Sequence, residues 1–240
     1  MPKAAFLLAL FFVCLAMPGP ARSQAPPGSA ENSRVQELHY EAIPNGRAEK
    51  KEKVTMVITE TPSGLDLLSR GFSMEKVEEV SFHMDREGNF ISGNRLVVVR
   101  EDEQAHQESI WKNGSRVFYE RDGKIRNHDL PPDKPLAVGE SLLVRLRFFP
   151  FDGGKEWRLF MVDFSGTSVT VTIRQAARET VAVPAGVFEC YRMETVVDIP
   201  ILRPKITFWL AVKPPHVMVR HEGKRGPFSP SYRTSLISLQ

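Results

Sequence analysis

The side chains able to do chemistry in this chain are six histidines, two cysteines and scattered carboxylates. His39, His83, His106, His128, His216 and His221 show neither H-x-H nor H-x-x-x-H spacing, which would bring two imidazoles to one metal. His83-Met84-Asp85 comes nearest to a ligand pair, and it needs distant residues to complete it. His216 and His221 are an odd offset apart, which on a strand places them on opposite faces. Both read as surface or satisfied polar groups. Cys190 lies in an apolar, strand-like stretch, where a thiol packs as a small inert hydrophobe. No G-x-S-x-G elbow is present, and Ser63-Gly64 and Ser165-Gly166 read as turns. Gly153-Gly154 reads as a hairpin tip rather than a phosphate loop opening a helix. Asn113-Gly114-Ser115 matches a glycosylation sequon but sits where a turn is expected. The expectation is a chain with no catalytic residues, no metal and no cofactor.

Binding chemistry has more to work with. Arg220, Lys224 and Arg225, with Lys213 nearby, form a basic cluster beside Trp209 and Phe228. Such a cluster either meets acidic lipid headgroups or is a solvated turn. Glu49–Lys53 mixes both signs and reads as a solvated hairpin end. The apolar candidates are Phe148, Trp157, Phe160, Phe208 and Trp209, with Phe149, Phe151 and Phe164 close in sequence. In a closed sandwich these residues are core. In a half-open barrel they line a pocket.

The elements that must position these groups are strands. Alternating apolar and polar residues, cut every 8–12 residues by turn signals, run through most of the chain. Val54–Thr59, Val77–Met84, Arg95–Arg100, Arg116–Glu120, Ser168–Gln175, Glu179–Val183 and Val187–Val196 are among the strands expected. Asn113-Gly114 and Asp122-Gly123 are two-residue hairpin signals. Ser141–Phe149 alternates Leu, Val, Leu and Phe with Arg145 and Arg147 and reads as a strand with one wet face. Glu75–Val80 has some helical character but is kept as a strand. The sum is an all-β chain of about a dozen strands, a curved antiparallel sheet or half-open β-barrel, with little helix and room for one helix across it.

Residues 1–23 read as a secretory signal peptide: Lys3, the uncharged apolar run Ala4–Met17, then Ala21-Arg22-Ser23, with cleavage expected after Ser23. The run is shorter than the roughly 20 residues of a membrane span, and Pro18 and Pro20 follow it. Val13 ahead of Cys14 lacks the small side chain that lipid attachment there would want. Residues 24–34 are rich in Pro, Gly, Ser and Ala and read as a disordered leader, and residues 35–240 as a single β domain. Loss of Lys3 and Arg22 takes the formal net charge from +3 to +1, which leaves no overall field to hold nucleic acid. Loss of Cys14 leaves Cys190 alone, so no internal disulfide is expected. The expected compartment is the periplasm, with at most peripheral membrane contact.

One stretch is more specific. Val183-Pro184-Ala185-Gly186-Val187-Phe188-Glu189-Cys190-Tyr191-Arg192-Met193-Glu194 resembles a "vPaGtF…y..E" signature, Thr207-Phe208-Trp209-Leu210 a "tyWya" strand, and Val217–Gly226 a closing hairpin. Together they resemble a family of exported bacterial proteins of unknown function, number 3108 among the domains of unknown function. Leu210-Ala211 departs from it where an aromatic is expected after Trp. Locally, Pro184 removes a ladder donor and Gly186 permits the turn, so the motif reads as a hairpin that fixes register. The resemblance implies an architecture similar to periplasmic lipoprotein carriers, an incomplete barrel around an apolar concavity. The expected function is non-catalytic binding of a lipid or other apolar envelope component. The alternative is a scaffold docking on an envelope protein through its sheet edge or the basic hairpin, and an enzyme with a dispersed site is the remaining reading.

Overall fold

A computed structural model describes residues 34–240 apart from 46–47, 102–103, 152, 155, 199–203 and 225–230. The expected signal peptide and all but the last residue of the expected leader lie outside the described residues. Among the described residues fifteen strands form one sheet, joined in sequence by hairpins except between β8 and β9, at its two ends, and between the parallel neighbours β9 and β10. The first half holds β1 (Val35–Pro44), β2 (Glu52–Thr61), β3 (Gly64–Phe72), β4 (Lys76–Met84), β5 (Phe90–Val99), β6 (Gln104–Asn113), β7 (Arg116–Arg121) and β8 (Lys124–Asp129). The second holds β9 (Leu136–Val138), β10 (Glu156–Val162), β11 (Ser168–Val183), β12 (Gly186–Asp198), β13 (Lys205–Ala211), β14 (Met218–Lys224) and β15 (Ser231–Leu239). The order runs from β8 down to β1, across to β15, and down again to β9. The all-β, curved-sheet expectation is borne out, and the sheet does not close by hydrogen bonds into a barrel.

Local chemistry sets the hairpins. Asp122 and Gly123 both take positive φ, the pair of angles a type I′ turn needs between β7 and β8. Gly114 turns β6 into β7, as the Asn-Gly signal implied. Strand β8 is exposed along most of its length, and its Lys124 and Arg126 discourage another edge from pairing there. The two strands expected at Ser168–Gln175 and Glu179–Val183 are one strand, β11, with a bulge between Gln175 and Ala177. The bulge bends the β11–β12 hairpin so that its tip reaches β14 and β15, where Ala185 N donates to Leu236 O.

The expected strand at Ser141–Phe149 is instead a helix. Helix α1 (Ser141–Arg145) continues as a single 3-10 turn through Phe148. The reason is topological. β9 and β10 are parallel neighbours, so the chain between them must cross back over the sheet. Leu142, Val144 and Leu146 are buried, but so is Ser141 beside Leu142, which a one-faced strand does not allow. An enclosed helix is apolar on most sides, so the every-other-residue pattern hid its period. Arg145 and Arg147 lead out of the core to the Glu87 carbonyl and the Gln36 side chain. The helix lies here and not at Glu75–Val80, the likeliest helical turn in the sequence, which falls largely in strand β4 as kept there.

The core is continuous around that helix, with Leu38, Met84, Ile110, Leu159, Met193 and Leu236 almost fully buried. The two halves of the sheet face one another across it. They meet at a seam made by the β10–β11 turn, where His128 Nε2 lies 2.6 Å from Gly166 O and Phe164 packs 5.8 Å from Phe82.

Candidate functional site

A cavity of about 570 Å³ lies between the two halves of the sheet, within the roughly 300–1,000 Å³ that ligand pockets occupy. One wall comes from β2 to β5, through Val54, Met56, Val80 and Arg95. The facing wall comes from β11 to β15, through Val171, Val197, Ile206, Phe208 and His221. Leu142 and Leu143 of α1 form the floor, and Phe164 of the seam turn closes the side. A separate void of about 10 Å³ beneath the helix has room for no more than a water.

Strand alternation decides which residues reach the cavity. On β13 Phe208 faces inward, so Trp209 faces the opposite side of the sheet. There Trp209 Nε1 donates to Glu179 Oε1, and the Arg220 guanidinium sits 5.7 Å above the indole. Arg220 Nη2 also donates to Ala182 O at 2.7 Å, clamping the bent β11–β12 hairpin. Of the five aromatic candidates, Phe208 lines the cavity, and Phe148, Trp157, Phe160 and Trp209 do not. Phe148 is 42% exposed beside Gly88. Trp157 packs on Phe149 at 5.1 Å under Arg145, in an aromatic cluster with Phe151, Tyr191 and His216. Phe160 packs half-buried against the core on β10, where its inward neighbour Met161 takes the cavity position.

The basic candidates also separate. Lys224 stands exposed at the cavity rim, Arg220 is committed to the clamp, and Arg225 lies outside the described residues. Among the described residues no three of His, Cys, Asp and Glu are grouped to hold a metal ion. His39 pairs with Thr55 and Glu37, His83 with Asp66, and His216 with Ala211 O.

Sequence reading missed the polar part of the wall. Arg95 bridges Glu78 and Glu108, at 2.7 and 2.9 Å, and Arg121 approaches Glu108 at 3.3 Å. Glu108 is 4% exposed. Cross-strand register could have found this pair, because Arg95 stands opposite Glu108. Tyr40 is buried on the same cavity and donates to Met218 O at 3.0 Å; burial pushes its phenol well above the ordinary value.

Burial also pushes the Cys190 thiol up to about 11, with Glu179 adding to the rise and Arg220 opposing it. The neutral thiol is therefore favoured in the fold, and that contribution is lost as pH rises from the unfolded value towards 11. A chain lacking Cys14 is expected to show no reaction with a thiol reagent at pH 8 while folded, and one reactive thiol in denaturant. Fast labelling of the folded protein would contradict the buried, neutral thiol.

Comparison with known proteins agrees with the motif. Residues 111–226 match the model of a family described as a protein of unknown function (DUF3108), which bears out the resemblance read from residues 183–226. No curated protein matches the sequence. Two solved structures are similar. One, from Bacteroides fragilis, is described as exported with a YmcC-like fold; it is 12% identical, covers 85% of this chain and 95% of its own, and has a TM-score of 0.35. The other, from Parabacteroides distasonis, is described as a lipoprotein; it is 12% identical, covers 86% of this chain and 95% of its own, and has a TM-score of 0.34.

Proposed function

We propose that this chain, whose residues 111–226 match the DUF3108 family model, is an exported periplasmic protein that holds a lipid or other apolar envelope molecule without chemical change. The cavity of about 570 Å³ carries the reading. Its wall is mostly apolar, and covering apolar surface is favourable by about 25 cal/mol per Å². The helix that was expected to be a strand supports it as well, since Leu142 and Leu143 of α1 add apolar side chains to the lining. The docking alternative draws less support. Arg220 is turned onto Trp209 and Ala182 O, and the β8 edge is guarded by charge.

Native mass spectrometry of protein prepared from the periplasm without detergent, followed by organic extraction, tests the reading. A co-purified lipid mass is the expected result. Trp111, Trp157 and Trp209 all stand off the cavity, so intrinsic fluorescence is a poor reporter. N-phenyl-1-naphthylamine, a neutral apolar dye, is the better probe. Val197→Trp should obstruct part of the cavity and weaken its binding with the fold retained. A bare protein mass together with no dye uptake would defeat the proposal.

A further inference from the structure

The cationic side chains that β4 and β5 contribute to the cavity wall are already committed to carboxylate partners. Arg95 donates through Nε to Glu78 and through Nη1 to Glu108, and Lys76 Nζ donates to Glu78. Burial alone would raise the Glu78 carboxyl, but hydrogen bonds and charge from Lys76 and Arg95 outweigh it and hold the group below its ordinary value. Glu78 is thus ionised near neutral pH, and both cations on this wall have carboxylate partners. Around the whole lining, Lys76, Arg95 and Lys224 stand against Glu52, Glu78, Glu140 and Asp163. The formal balance among these seven is one negative charge.

An anionic head group that passes the exposed Lys224 at the rim and enters this space has two options. It displaces a carboxylate from Arg95 or Lys76, leaving that carboxylate half-buried without its partner, or it goes unpaired itself. Both are unfavourable in a poorly hydrated site. A head group with its own internal charge balance, or with none, avoids the conflict, while its chain takes the apolar floor at Leu142 and Leu143. We infer that the cavity takes an amphiphile whose head group carries no net charge, zwitterionic or uncharged, in preference to an anionic one. This inference rests on the cavity being the binding site.

Displacement of N-phenyl-1-naphthylamine by three amphiphiles of equal chain length tests it: a lysophosphatidylethanolamine, a monoacylglycerol and a lysophosphatidylglycerol. The first two are expected to bind at least about tenfold more tightly than the anionic third, with the gap narrowing as salt rises. Glu78→Gln should raise affinity for the anionic compound selectively, because it releases donors of Lys76 and Arg95. Lys224→Glu, at the exposed rim, should lower it and does not depend on the buried pairs for folding. Equal or tighter binding of the anionic compound, with the dye displaced by all three, overturns the inference and leaves the binding reading intact. Failure of the dye and of all three compounds to bind overturns both.

Discussion

Replacing Gly166 with alanine is expected to lower the unfolding free energy by about 2–4 kcal/mol and to weaken dye binding in the fraction that remains folded. Gly166 sits at φ +81 in the β10–β11 turn, and an added Cβ would stand 2.2 Å from the Tyr119 ring. Tyr119 is stacked on His128 and is buried, so it must swing out of the seam to make room. The effect should exceed that of an ordinary turn substitution because this contact joins the two ends of the sheet. Fourteen strand pairs are held by hydrogen-bonded ladders, whereas the end of the sheet at β8 meets this turn without one, through the His128 contact with Gly166 O and with Phe164 on Phe82 beside it. Thermal or denaturant melts measure the first part and dye titration the second. Gly64→Ala is the control. Its Cβ would lie 1.9 Å from the Met84 carbonyl oxygen, so it should destabilise as much, at a hairpin that is not on the cavity. If both variants bind the dye like the parent chain, the seam has no part in retaining a ligand.

The seam also marks where sequence reasoning runs out. Strands, hairpins and the edge were legible because each depends on neighbours a few residues apart: Asp122-Gly123 for a I′ turn, Gly114 for the next, alternation for β12. The contact of Gly166 with Tyr119 joins residues far apart in the chain and has no local signature. The same is true of α1. Leu142, Val144 and Leu146 repeat with the period of a strand, and the parallel pairing of β9 with β10 decides the matter. Tertiary context overrode the local pattern there.

The candidate site was legible only in kind. An apolar concavity followed from the family resemblance and the aromatic inventory, but its wall is mostly aliphatic, with Phe208 and Phe164 as the aromatic members. Large aromatic residues drew attention because of their size. In the fold several of them pack in the cluster where Phe151 stacks on Tyr191 at 4.2 Å, or, like Trp209, on the opposite face of the sheet. The salt-bridged wall of Glu78, Arg95 and Glu108 is invisible until strand register is known, since each residue alone reads as an ordinary solvated charge. The motif at residues 183–194 keeps the structural meaning its residues implied. Its hairpin bends over β14, and Arg220 holds it through the Ala182 carbonyl.

Trp209→Ala is expected to cost about 3–5 kcal/mol of stability, the range for emptying a large buried aromatic position. Its indole is 8% exposed and supports three things at once: the Glu179 carboxylate, the Arg220 guanidinium and the underside of the bent hairpin. Trp209→Phe keeps most of the apolar contact but takes the indole N–H from Glu179, which is part-exposed and has Arg192 at 3.9 Å, so only about 0.5–1.5 kcal/mol is expected there. Arg220→Ala removes the cation over the ring and the bond to Ala182 O, and its effect should be much smaller in the Trp209→Ala background than alone, because the two share one cluster. The discriminating measurement is dye affinity under conditions where each variant is folded. Phe208→Ala alters the cavity wall and should change that affinity; Trp209→Ala, one residue on, should not. Equal changes in both would mean that the two faces of β13 are not separated as alternation requires, and that Trp209 is coupled to the ligand through the strand itself.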